Sequence, residues 1–353
     1  MENFSPTKAA HPPWLTNARA GWDVDVHTWL LEIGEQRNLG VINSFKVIKE
    51  RPWSIVLQVH FTKDTAYFKA CGVGGKFEPQ LLQHLVHNQH LLLPDLYAIE
   101  VQRSWLLMAD AGVLLQEFGA ITQQLAILKQ LLSGYARLQI DSLADIESYL
   151  ELGLPDRRVE KLPRLLESLL GDERLAVERS VQEVNKLQTS VQKLLPHFER
   201  TCFELAASSY GAALDHGDIH RGNIFVNNGD PCLSDWGDAC VTHPFCSAML
   251  IIETTLTQVP EDKRVSWIRP LLDTYLAPWQ IFAPREQLLP TFQTALWAAY
   301  AVRVLNMAHM FQHAPAQHMV RWLPYIAQYL EKWVWYADFL ERDIEDWMET
   351  SNY

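Results

Sequence analysis

The sequence predicts an α+β protein of two lobes: a small antiparallel-sheet lobe with one key helix over residues 1–110, and a large, mostly helical lobe over 111–353 that holds a short hairpin. Three observations predict it. Between residues 41 and 108, short β-rich apolar runs are separated by turn-forming residues; beyond Gly112 apolar residues recur almost throughout at helical spacing; and the helical part is broken once, at 214–239, where two short apolar runs flank Asn227-Asn228-Gly229-Asp230. At 353 residues the chain is long for one compact core and comfortable for two.

Taken in order, residues 1–20 carry Pro12-Pro13 and few apolar side chains, and read as an arm. Val26, Trp29, Leu30 and Ile33 then recur at helical spacing over 23–36. Strands are predicted at 41–48, 54–61 and 66–70, separated by Glu50-Arg51-Pro52-Trp53 and Lys63-Asp64-Thr65. A helix over 78–90 places Leu81, Leu82 and Leu85 on one face, and strands at 97–101 and 105–108 lead into Ala109-Asp110-Ala111-Gly112. In the second lobe the clearest helical segments are 121–139 and 175–195, with a long helical tail over 288–348.

Composition excludes several classes of function. A formal charge of −12 opposes nucleic-acid binding, which needs a basic surface, and favours a cationic partner if anything. An apolar content of 48% fits a globular chain. Cysteines at 71, 202, 232, 240 and 246 form neither an even framework nor a C-x-x-C pair, which points to a reducing compartment. The first residues lack the basic and apolar regions of a signal peptide, and the most apolar helical stretch, 295–302, stops at Arg303. A soluble, cytoplasmic protein is expected.

The chemistry is concentrated in His216-Gly217-Asp218-Ile219-His220-Arg221-Gly222-Asn223, the hairpin that follows, and Asp235-Trp236-Gly237-Asp238-Ala239. Phosphoryl transfer to an alcohol needs the hydroxyl oriented and the charge on the transferring group neutralised by Mg²⁺. Mg²⁺ takes one or two protein oxygens beside phosphate and water. Asp218 is placed to accept or orient the hydroxyl proton, and Asn223 and Asp235 to hold the metal. The spacing of Asp218 and Asn223 equals that of the kinase loop H-R-D-x-x-x-x-N, with Asp235 in the place of the D-F-G aspartate.

The string H-G-D-x-H-x-x-N followed by D-W-x-D-A resembles the motifs of the aminoglycoside phosphotransferase and choline kinase superfamily. That resemblance implies a bilobal, protein-kinase-like fold and an ATP- and Mg²⁺-dependent enzyme acting on a small hydroxylated molecule. It also implies that Asp218 is catalytic, that Asn223 and Asp235 bind metal, and that His216 and His220 brace the loop. A kinase further needs a strand lysine for the phosphates and a helix glutamate to hold it. Lys69, in Tyr67-Phe68-Lys69-Ala70, and Glu78, opening the next helix, stand in the right order. Backbone groups of Met108, Ala109 and Asp110 fall where the adenine edge is bound. One element is missing: between the first two strands stands Lys49-Glu50-Arg51-Pro52-Trp53-Ser54 with no glycine, leaving Ser54 and local amides as phosphate contacts.

Asp238 and Glu253 are the candidates to face the acceptor, with Asp215 nearby in sequence; their negative charge favours an amine-bearing alcohol. The bland readings are a helix cap for Asp238 and a solvated carboxylate for Glu253. Cys240, His243 and Cys246 offer too few ligands for a structural zinc site. His84, His87 and His90, and the pair His309 and His313, read as helix-face histidines, and the tryptophans from Trp267 to Trp347 mostly as core, with a few left to line a pocket. A catalytically silent, ATP-binding protein on the same fold is the second reading. A kinase acting on protein is the third, opposed by the lack of an A-P-E-like stretch after Asp235.

Overall fold

A computed structural model describes residues 11–87, 92–314, 316–340, 342, 344 and 346. After a helix α1 (Arg19–Gln36), the chain forms β1 (Ile42–Arg51), β2 (Ser54–Phe61) and β3 (Thr65–Cys71), then α2 (Glu78–His87), β4 (Leu96–Glu100) and β5 (Trp105–Ala109). These strands make one antiparallel sheet in the order β1-β2-β3-β5-β4. Side chains alternate across a pleated sheet. Phe68 and Leu107, paired between β3 and β5, therefore join a core under α1, while the neighbouring pair Lys69 and Leu106 turns the other way, Leu106 into the core shared with the helical lobe. Trp22, Trp29, Phe68 and Trp105 pack under α1 with ring centroids 5.6–6.4 Å apart. Each such buried side chain contributes about 1.5–3 kcal/mol.

Beyond the sheet come β6 (Val113–Leu114), α3 (Ile121–Ser142), α4 (Ile146–Glu151), α5 (Leu162–Leu169) and α6 (Val181–Ala206). They are followed by β7 (Ala213–Asp215), β8 (Ile224–Asn227), β9 (Asp230–Leu233), β10 (Cys240–Thr242), α7 (Ala248–Leu256) and α8 (Arg264–Leu276). The chain continues through α9 (Arg285–Gln312), α10 (Ala316–Met319) and α11 (Pro324–Tyr336). The expected hairpin is β8–β9, closed by Asn227 opposite Asp230. Two pairings add to it: β6 lies along β8, and β7 pairs with β10. Both are two- or three-residue contacts, below the length at which alternation can be read.

Several boundaries depart from expectation. The helix expected over 175–195 starts at Val181 and runs to Ala206, because Glu178 has a left-handed φ of 59° and Ser180 forms a capping box with Glu183. The long tail is three helices, the last opened by Pro324. β1 runs to Arg51, so the turn to β2 is only Pro52-Trp53. His90 and Trp347 lie outside the described residues. No helix among the described residues is long and apolar enough to cross a membrane. The five cysteines are free and buried.

Candidate active site

The β7–β10 pair sets the loop from His216 directly beside the turn at Trp236–Asp238. The approach is so close that a Cβ on Gly217, at φ +76°, would stand 2.1 Å from the Asp238 carbonyl oxygen, so only glycine fits. The Gly217 amide donates to Asp215 Oδ1 at 2.7 Å, which holds the turn from behind. His216 Nδ1 accepts from the Asp218 amide at 3.3 Å and Nε2 lies 3.0 Å from the Ser234 carbonyl, so the ring is neutral and spans the two loops. Burial pulls its pKa down to about 4, in keeping with that state. His220 Nδ1 accepts from the Gly222 amide at 3.0 Å, and its Nε2 lies 3.6 Å from Asp218. Both histidines thus brace the loop by hydrogen bonds to its backbone.

Asn223 Nδ2 donates to the Asp218 carbonyl at 3.0 Å and reaches its carboxylate at 3.3 Å. The hairpin returns the chain so that the Ser234 amide donates to the Asn223 carbonyl at 2.9 Å, bringing Asp235 alongside. Asp235 has φ 65° and ψ 63°, a left-handed conformation that costs a non-glycine residue of order 1–3 kcal/mol. What holds it is charge. Lys69 Nζ lies 2.6 Å from Asp235 Oδ1 and 2.5 Å from Glu78 Oε2, and Lys49 Nζ lies 3.1 Å from Asp235 Oδ2. Glu78 also accepts from the Trp236 amide at 3.0 Å and the Cys71 thiol at 3.2 Å. Burial disfavours the charged form of Asp235, but the two ammonium groups outweigh it and hold its carboxyl far below the ordinary range. Lys69 is held protonated in the same way, burial being overcome by Asp235 and Glu78.

Lys69 is therefore not an exposed strand lysine: it is 5% exposed, with both partners in place. It opens onto a cleft of about 520 Å³ lined by Ile48, Val56, Met108 and Phe225 on its apolar side and by Lys69, Asn223 and Asp235 on its polar side. Met108 and Ala109 line this cleft; Asp110 does not, and its carboxylate accepts from the Gly112 amide at 2.9 Å. The Ala109 amide is taken by the Asp95 carbonyl at 2.9 Å. Ser54 is buried at the start of β2 and lines neither this cleft nor the next.

The donor set fits one hard cation shared with a ligand. Asn223 turns its amide nitrogen toward Asp218, which leaves Oδ1 as an acceptor, and the Asp235 carboxylate is 29% exposed and already faced by cations. Among the described residues no three His, Cys, Asp or Glu side chains group as a metal site. Two oxygens with phosphate and water completing the sphere is the pattern Mg²⁺ prefers.

A second cleft of about 310 Å³ opens on the other side of Lys49 and Asp235, lined by Asp218, Asp238, Arg303, Met307 and Met310 and by the rings of Trp53, Trp322, Tyr325 and Tyr329. Arg303 Nη2 lies 2.9 Å from Asp218 Oδ1, its Nη1 donates to the Gly217 carbonyl at 3.1 Å, and Asp238 Oδ1 is 4.0 Å away. Burial raises the pKa of Asp218, yet the Arg303 guanidinium and His220 bring it below the ordinary value. Asp238, by contrast, is pushed up to about 7 by burial and by the charge on Asp218. Of the candidates for acceptor recognition, Asp238 thus faces the cleft and Glu253 does not. Glu253 is buried on α7, accepting from Lys332 at 3.0 Å and Tyr300 at 3.2 Å, and neither lines the two clefts nor stands as a solvated carboxylate. Asp215 lies behind the loop, where burial raises its pKa to about 6.

Lys49, Arg303 and the rings of Tyr325 and Tyr329 escaped the sequence, whereas Trp322 is one of the tryptophans left open to line a pocket. Arg303 had a signal. A charge ending the apolar run 295–302 on a buried helix requires a partner, and 303, 307 and 310 share one helix face.

The phosphotransferase enzyme family matches residues 35–288 of the chain. Among solved structures, an ethanolamine kinase of Plasmodium vivax superposes with a TM-score of 0.59 at 10% identity, covering 88% of each chain. A choline kinase of Streptococcus pneumoniae gives a TM-score of 0.55 at 12% identity, covering 87% of this chain and 99% of that one. A spectinomycin phosphotransferase solved with ADP and spectinomycin gives 0.55 at 12% identity, covering 89% and 98%. At such identities these are likenesses of fold. No curated protein sequence matches significantly.

Proposed function

The chain belongs to the phosphotransferase enzyme family, and we propose that it transfers the γ-phosphoryl group of ATP to a hydroxyl of a small, amine-bearing molecule in the cytoplasm. The observation that carries this reading is the convergence of Asp218, Asn223, Asp235, Lys69 and Glu78, from four separate stretches of sequence, on one junction between two clefts. Residues 1–110 would form the nucleotide lobe and 111–353 the catalytic and acceptor lobe. The adenine would lie between Val56, Met108 and Phe225, with its edge on the backbone beyond Ala109. Lys69, fixed by Glu78, would bind the α- and β-phosphates. Asn223 and Asp235 would hold Mg²⁺, which supplies charge neutralisation on the phosphates when bound. Asp218, ionised by its pairing with Arg303, would orient the acceptor hydroxyl and take its proton as the new O–P bond forms and the bond from the γ-phosphorus to the bridging oxygen breaks, releasing ADP.

The acceptor cleft supports a cationic alcohol. Asp218, Asp235 and Asp238 set three carboxylates against the two cations Lys49 and Arg303, and Trp322, Tyr325 and Tyr329 line the same cleft. Ethanolamine, choline and spectinomycin, named for three of the structural relatives, all carry such a group beside a hydroxyl. A protein acceptor is disfavoured: the segment after Asp238 is buried and tied into the β7–β10 pair, with no exposed activation segment before α7.

The test is a screen of ATP consumption with choline, ethanolamine, aminoglycosides, homoserine, methylthioribose and hydroxylated macrolides, with Asp218→Asn as control. Turnover with a cationic alcohol, lost in the variant, is expected. Tight Mg·ATP binding with no acceptor phosphorylated would favour the silent, nucleotide-binding reading instead.

A further inference from the structure

We propose that Lys49 is the γ-phosphate ligand of this chain, doing with one side chain what a glycine-rich loop does with backbone amides; this rests on the Mg·ATP reading above. Lys49 and Asp235 are the residues that line both the nucleotide cleft and the acceptor cleft. A group in transit from one cleft to the other must pass them.

The local fold aims Lys49 there. In a regular strand Ile48 and Lys49 would face opposite sides of the sheet. The register of β1 on β2 slips between Val47 and Lys49, however, a bulge that sets Val47 against Leu57 and Lys49 against Val56. As a result Ile48 and Lys49 both line the nucleotide cleft. Bulges beside active sites commonly re-aim a side chain in this way.

The turn beyond Lys49 is fixed rather than draped over the phosphates. The Trp53 carbonyl accepts from the Gly72 amide at 2.7 Å, the Trp53 ring packs 5.6 Å from Phe311 and 5.1 Å from Trp322, and Arg51 stacks 5.7 Å over Trp322. With Pro52 at the tip, the turn has no run of amides to cradle an anion. A cation on the strand before it is the remaining means of binding negative charge from that side. Lys49 is 38% exposed and rests on Asp235 Oδ2. A divalent cation held by that carboxylate would compete with Lys49 for it, leaving the ammonium group free to reach the terminal phosphate as a mobile point charge.

The experiment measures Kd for ADP and for a non-hydrolysable ATP analogue, both with Mg²⁺, in wild type, Lys49→Met and Lys49→Arg. Lys49→Met should weaken the triphosphate analogue by about tenfold, or 1.4 kcal/mol, leave ADP within about twofold of wild type, and be rescued by Lys49→Arg. Equal weakening of both nucleotides, or of neither, overturns the assignment. If wild type binds neither nucleotide, the Mg·ATP reading fails first and the Lys49 role fails with it.

Discussion

Two charge clusters meet at Asp235, and they are built on opposite principles. On the nucleotide side Lys69 and Lys49 face Asp235 and Glu78, two cations against two anions, and every carboxylate oxygen has a partner. On the acceptor side Arg303 faces both Asp218 and Asp238, with His220 3.6 Å from Asp218. The consequence is visible in protonation: Asp235 is held far below the ordinary carboxyl range, whereas Asp238 rises to about 7. A balanced cluster is preorganised for phosphates that arrive with their own cation. An unbalanced one is left wanting positive charge, which the proposed cationic acceptor would bring. The first cluster should therefore matter to folding as well as turnover, and the second to turnover through Asp218 and to acceptor choice through Asp238.

The largest expected effect breaks the balanced side. Lys69→Ala strands Glu78, which is 1% exposed, and should cost about 3–5 kcal/mol of stability in denaturant unfolding. A loss under about 1 kcal/mol would show the cluster to be solvated rather than buried.

A smaller effect is expected behind the acceptor loop. Burial raises Asp215 from 3.8 to about 6, so the folded state binds its proton more tightly than the unfolded state does. The stability it contributes is full below about pH 4 and is lost as pH rises through about 6, amounting to at most about 3 kcal/mol. Asp215→Asn keeps an acceptor for the Gly217 amide and should remove that slope, making the variant relatively more stable at pH 7.5 than at pH 4. Parallel stability curves for the two proteins would contradict the buried placement.

The smallest effect concerns Asp238. Because its carboxyl rises to about 7, kcat/KM for a cationic acceptor should increase between pH 6 and 8 relative to a matched neutral acceptor. Asp238→Asn should flatten that difference and lower cationic kcat/KM by about tenfold, with nucleotide affinity unchanged. An unaltered preference would remove the electrostatic basis of acceptor choice and leave phosphoryl transfer standing.

The same contrast governs what was legible in the sequence. Asp218, Asn223 and Asp235 could be read because one loop and one hairpin fix their spacing locally. Lys69 and Glu78 followed from strand and helix order, although their burial did not, since a single lysine in a β-rich run gives no sign of its partners. The acceptor wall could not be assembled: Arg303 and Tyr329 come from α9 and α11, and only tertiary packing brings them to Asp218. Glu253 was misplaced for the same reason, its helix face being decided by Lys332 far along the chain. Lys49 was hidden by a bulge, which inverts the facing that alternation would assign.

The central claim is that Asn223 and Asp235 hold Mg²⁺ between this chain and ATP, and thermal unfolding with ATP tests it most directly. Ligand that binds only the folded state raises the melting temperature by mass action. A clear rise is predicted at millimolar ATP with Mg²⁺ and a much smaller one when EDTA replaces the metal. Equal shifts under the two conditions, or no shift in either, would contradict the account.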